Sequence, residues 1–118
     1  MFRLLLAALL LSAPLAAKTV ERTFNMKLWT MHEAKEKMDW DHAVRYCRSL
    51  QSQLPDIEML EYAAQHSESV RTGSARFQYD YYWSRTELDM EGAYSFDFGL
   101  GLPYPDHKAN RYRVMCIK

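Results

Sequence analysis

Reactive side chains are sparse in this 118-residue sequence, and their spacing decides what chemistry they permit. His32-Glu33 opens like a helical zinc-hydrolase motif, but Glu36 stands where a second imidazole would have to share a helix face with the first. His42, His66 and His107 are far apart, on an expected exposed helix face, a helix end and a loop, and read as surface residues. Ser84 follows Trp83 without the glycine-flanked elbow that exposes a hydroxyl nucleophile, so its expected role is structural. Asp97, between Phe96 and Phe98, fits a solvent-facing strand residue or a hydrogen-bonded sheet anchor. Pro105-Asp106 with Asn110 offers oxygen ligands, yet calcium takes about six to eight. No nucleophile paired with a base stands out, and no catalytic residue, metal or cofactor is expected.

The most suggestive feature is aromatic. Phe77, Tyr79, Tyr81, Tyr82 and Trp83 crowd one stretch, to be joined by Tyr104 and Tyr112. Strand alternation sends about half of them to each face, one set into the core and the other free to stack on a sugar or anchor a protein contact. Tyr79, Tyr81 and Tyr104, flanked by Asp80 and Asp106, are the candidate ligand-binding residues.

The elements that must position these residues follow an N-terminal leader. Arg3, the Leu/Ala run 4–11 and the small-residue stretch 12–17 have the grammar of a signal peptide over residues 1–17, leaving a single domain over 18–118. The apolar run is far shorter than a bilayer is thick, so no stable membrane insertion is expected. Export to the periplasm or the medium makes a disulfide the favoured reading for Cys47 and Cys116, the only two cysteines, with two free thiols as the alternative. With 15 basic and 15 acidic side chains, there is no basic excess of the kind that meets nucleic acid. An apolar fraction of 48% excludes a disordered tail.

Along the domain, alternation at 23–29 predicts a strand, and the charged letters of 30–37 predict a solvated connector. Asp39 caps a predicted helix with Trp40, Ala43, Val44, Cys47 and Leu50 inward. Because Cys47 lies on that buried stripe, a bridge from it must run inward, and Cys116 fits. Asp56 caps a second helix over 57–66, with Ile57, Leu60, Ala63 and Ala64 inward. Residues 67–78 and 99–110 read as loops. Residues 79–84, 93–98 and 111–117 read as short strands, with Tyr112, Val114 and Cys116 on one face. This order predicts an α+β fold in which the first and last strands pair.

In sequence order, Lys27-Leu28-Trp29, Trp40 through Ala43 to Tyr46-Cys47, Leu54-Pro55-Asp56, Tyr82-Trp83-Ser84-Arg85-Thr86 and Arg113-Val114-Met115-Cys116-Ile117 resemble the Lcl C-terminal domain family. That family carries a leucine- or valine-tryptophan strand, a W-x-x-A-x-x-Y-C helix, an L-P-T helix entry, a Y-W-S-S-T strand and a terminal V-R-C-V strand. Asp56, Arg85 and Met115 depart from it, where the family has Thr, Ser and Arg. The resemblance implies a C-type-lectin-like fold, related to formylglycine-generating enzymes. Two helices pack on a small antiparallel sheet with paired terminal strands, and one disulfide ties the first helix to the last strand. The thiol chemistry of the enzymatic relatives is unavailable if Cys47 and Cys116 are bonded. Neither of the sugar-binding signatures of calcium-dependent lectins, Glu-Pro-Asn or Trp-Asn-Asp, is present. The expectation is a non-catalytic binding module for a protein or carbohydrate ligand, acting through loops and aromatic residues. The alternative is an envelope enzyme or enzyme accessory.

Overall fold

In the computed structural model, which describes residues 30–66 and 77–118, the elements run β1 (Met31–Glu33), α1 (Trp40–Ser49), α2 (Ile57–Gln65), β2 (Tyr81–Glu87), β3 (Gly92–Asp97), β4 (Leu102–His107) and β5 (Met115–Ile117). The leader, the strand expected at 23–29 and the loop at 67–76 lie outside the described residues. The architecture is α+β, with two helices and two antiparallel sheets, ordered β1-β5 and β2-β3-β4.

Both helices start where a carboxylate caps them. Asp39 accepts from His42 N at 2.8 Å and Asp56 from Met59 N at 2.9 Å, each satisfying an N–H that the helix leaves without a partner. α1 buries Trp40, Ala43 and Cys47, and α2 buries Met59, Leu60 and Ala63. Leu50, expected inward, is instead 40% exposed, because it is the C-cap of α1 where the chain leaves the helix. There Ser52 N bonds Cys47 O and Gln51 N bonds Arg48 O, the pattern that closes a helix through one left-handed residue. That residue is Gln51, at φ 56°. The turn delivers Gln53 to Ile117, with which it exchanges two backbone bonds.

The core has two parts, and strand alternation separates them. Tyr82, Phe96, Phe98, Met115 and Ile117 meet α2 and Met31, while Trp83, Ala93, Val114 and Cys116 meet α1. Cys47 and Cys116 are joined by a disulfide across a separation of 69 residues, which binds α1 to β5. A loop of that length confers roughly 4 kcal/mol on a chain-entropy treatment.

Two segments depart from expectation. Residues 30–37 are not merely a solvated connector, since β1 pairs with β5 in the register Met31↔Ile117, His32↔Cys116, Glu33↔Met115. Its charged letters hide a strand because Glu33 is paired with groups remote in sequence, Tyr82 and Arg113. Within 99–110, Leu102–His107 forms β4 rather than loop. Its two prolines are tolerated because β4 is an edge strand: Lys108 N bonds Glu91 O, and stepping by two from that pair puts Asp106, Tyr104 and Leu102 in hydrogen-bonded register with β3. Pro103 and Pro105 therefore fall where an N–H would point away from the sheet. The strand expected at 111–117 is shorter, and β5 covers only its end. Residues 112 and 113 instead make isolated bridges to Met38 and Tyr82.

Gln51→Gly should stabilise the fold by about 0.5–1 kcal/mol, because glycine carries no Cβ penalty at positive φ. Urea unfolding measures this, and a destabilised variant would contradict the assigned helix end.

Candidate functional site

The residues singled out for ligand contact divide between the two faces of β2, and Arg113 joins the halves. Arg113 N donates to Tyr81 O, and Trp83 N donates to Arg113 O, so residues 112–114 run beside β2 as a further strand-like segment. Neighbours along an extended chain point to opposite faces. Tyr81 and Tyr112 accordingly share one face, and the Asp80, Tyr82 and Arg113 side chains meet on the other.

On the back face, Arg113 Nε donates to Asp80 Oδ2 at 2.7 Å and its Nη1 to Glu33 Oε2 at 3.0 Å. The Tyr82 hydroxyl donates to Glu33 Oε1 at 2.6 Å and accepts from Gln78 N at 3.0 Å. Lys37 Nζ lies 3.4 Å from Asp80 Oδ2, and Asp80 Oδ1 accepts from Tyr81 N at 2.7 Å. Burial pushes the Asp80 carboxyl pKa up, but the Tyr81 N–H, the Arg113 guanidinium and Lys37 together hold it below its ordinary value. The Tyr82 hydroxyl pKa is raised, first by burial and then by its bond to Glu33. Every charge in this cluster has a partner within the cluster, so it works as a clamp joining β1, β2 and the C-terminal segment.

On the front face the rings form a row. The Tyr81 and Tyr112 centroids are 5.3 Å apart with planes at 22°, and Tyr104 lies 6.3 Å from Tyr81 at 43°. Tyr112 packs edge-on to Trp83 at 4.9 Å, which roots the row in the α1 core. The three tyrosines are half-buried. Leu102, in the same cross-strand row as Tyr81 and Asp97, is 50% exposed, and Leu100 in the adjoining turn is 67% exposed.

Two carboxylates, Asp97, which is buried, and Asp106, which is half-buried, lie beside the Tyr81 and Tyr112 hydroxyls. Asp97 Oδ1 accepts from Gly99 N at 2.7 Å and Leu100 N at 3.4 Å, which makes it the anchor of the β3–β4 turn. Asp106 accepts from Ser95 Oγ at 2.7 Å and Asn110 Nδ2 at 3.2 Å. The charge of Asp97 is the largest influence raising the Tyr81 hydroxyl pKa; Tyr112 is raised first by burial and then by the charge of Asp106.

Of the five candidate residues, the structure brings Tyr81, Tyr104 and Asp106 to one face. Asp80 turns away into the clamp, and Tyr79 stands 89% exposed just before β2. Sequence reasoning missed Arg113, Glu33 and Leu102. The alternation read at 111–117 put Arg113 opposite Tyr112 without naming its partners, the charged letters of 30–37 hid Glu33, and the prolines of 102–106 hid the strand that carries Leu102. His42, His66 and His107 are exposed, and Ser84 is buried with its hydroxyl donating to Tyr94 O at 2.6 Å. Among the described residues, no group of three or more His, Cys, Asp or Glu side chains is placed to hold a metal ion. No helix among them is long and apolar enough to cross a membrane.

The sequence profile of a family described as a domain of unknown function (DUF8780) matches residues 29–118. No curated protein matches the chain.

The lowered Asp80 pKa fixes the sign of an acid effect. Its contribution is present above the unfolded carboxyl value near ~3.9 and is lost as pH falls through the lower folded value. Urea unfolding between about pH 6 and pH 2 should show this loss in the native chain and a shallower dependence in Asp80→Asn. An identical dependence in both would mean that the clamp contributes nothing.

Proposed function

The chain belongs to the DUF8780 family of domains of unknown function, and from that premise we propose that it is a non-catalytic interaction module, which binds a protein partner through the Tyr81, Tyr104 and Tyr112 face. The observation that carries this reading is the ring row itself. Three half-buried tyrosines are held in register by strands and a rooted tryptophan, beside two exposed leucines. Tyrosine supplies contact area at low entropy cost, and rigid, partly desolvated aromatic anchors dominate protein interfaces. A saccharide is the second reading. It would stack on the same rings, but Asp97 and Asp106 already accept two hydrogen bonds each from this chain, and Leu100 and Leu102 favour an apolar partner.

The scaffold in this proposal is C-type-lectin-like and related to the Lcl C-terminal domain family. The disulfide from α1 to β5 and the pairing of β1 with β5 support it. The module is exported to the periplasm or the medium. In support stand the signal-peptide grammar of residues 1–17 and a disulfide that forms in oxidising compartments. Against an enzyme of the formylglycine-generating kind, both sulfurs are held in that bond, and the clamp's charges are committed to one another.

The test is capture of partners from an envelope extract, run beside a glycan array. Tyr104→Ser and Leu102→Ser should each weaken protein capture at least about tenfold, with melting shifted by only a few degrees. Undiminished capture by both variants would remove the face from the account. Glycan binding lost in the variants, with protein capture intact, would install the saccharide reading.

A further inference from the structure

We propose that the partner surface accepted by this face is basic: a protein segment that carries arginine or lysine among aliphatic side chains, laid across the tyrosine row and not added as a strand. The inference rests on the interaction reading above and names the chemistry of the partner.

Charge is the first argument. Glu33, Asp56, Asp80 and Glu87 each have a cation within 4.0 Å, whereas among the described residues neither Asp97 nor Asp106 has one. Their hydrogen-bond donors are neutral: two backbone N–H groups, a serine hydroxyl, a carboxamide and the Tyr81 and Tyr112 hydroxyls. Neutral donors fix a carboxylate in place but leave its charge standing. The cations that might have balanced it are engaged elsewhere. Lys37 and Arg113 are in the clamp, and Lys108 pairs with Glu87 at 2.7 Å and lies 4.4 Å from the Trp40 ring centre. Two fixed negative charges thus stand beside the Tyr81 and Tyr112 hydroxyls, next to rings whose faces carry their own negative potential. A guanidinium or ammonium group meets both attractions at once, and an acidic partner meets neither. The Tyr81 hydroxyl pKa, raised first by the charge of Asp97, reports the same local field.

The second argument decides the mode of contact. The free edge of β4 is where a partner strand would add, but Pro103 and Pro105 remove the outward N–H groups that such a strand needs. Binding must then run through side chains on the face. Leu102 and Leu100 supply apolar contacts beside the rings, which is why the expected segment mixes aliphatic with basic residues.

The test is a nitrogen–proton NMR titration of the purified chain with three capped peptides: one alternating leucine and arginine, and counterparts with glutamine or glutamate in place of arginine. The arginine peptide should shift the amides of Tyr81, Tyr112, Leu102, Tyr104 and Asp106, bind at least about tenfold more tightly than the glutamine peptide, and weaken as salt rises above about 0.1 M. Asp106→Asn should cut that preference by about threefold or more, lowering affinity for the arginine peptide more than for the glutamine peptide. Asp97→Asn serves as the second variant should Asp106→Asn fail to reproduce the native spectrum. Equal shifts from the arginine and glutamine peptides, or tighter binding of the glutamate peptide, would overturn the basic partner while leaving the face as a contact surface. Absence of shifts on this face with all three peptides would overturn the interaction reading too.

Discussion

The grip of Arg113 on Asp80 and Glu33 is the constraint from which the described structure follows. Each bond pairs a charged donor with a charged acceptor, in side chains roughly a fifth to a third exposed, and such bonds are worth on the order of 2 kcal/mol when partly screened. Their importance lies in what they join. Glu33 closes β1, Asp80 precedes β2, and Arg113 belongs to the segment that leads into β5. That segment touches Met38 at residue 112, β2 at 113, β1 through β5, and Gln53 at 117. Its alternating side chains feed both halves of the core, and its last cysteine is bonded to α1.

The clamp and the tyrosine row are two sides of one piece of backbone. Fixing Asp80 and Arg113 on one face sets where Tyr81 and Tyr112 stand on the other, because adjacent residues of an extended chain cannot be moved independently. Among the described residues, no buried side-chain nitrogen or oxygen lacks a hydrogen-bond partner. A face pre-arranged in this way loses little rotamer freedom on binding, and that loss is among the main costs of association. The proposed contact face therefore depends on side chains on the opposite side of the strand.

What could be read from the sequence was local. Asp39 and Asp56 announce both helices, the three- and four-residue spacing of Trp40, Ala43 and Cys47 gives the buried stripe, and two cysteines in a chain with a leader-like start suggest their bond. What could not be read was long-range compensation. Glu33 is partly buried because Arg113 arrives from 80 positions away, and Pro103 and Pro105 sit in a strand because nothing among the described residues pairs with its outer edge. Tyr81 and Tyr104 were legible as candidates. The division of Asp80 from Asp106 was not, since only the position of Arg113 decides which way Asp80 turns.

The coupling between clamp and ring row is tested most directly by nuclear Overhauser contacts between the Tyr81 and Tyr112 rings in the native chain, in Arg113→Lys and in Arg113→Met. Loss of the forked grip should weaken these contacts and the near-ultraviolet tyrosine dichroism in both variants, more in Arg113→Met, while the far-ultraviolet spectrum keeps its native shape. Ring contacts of native strength in both variants would contradict the account, because the front face would then owe nothing to the charges behind it.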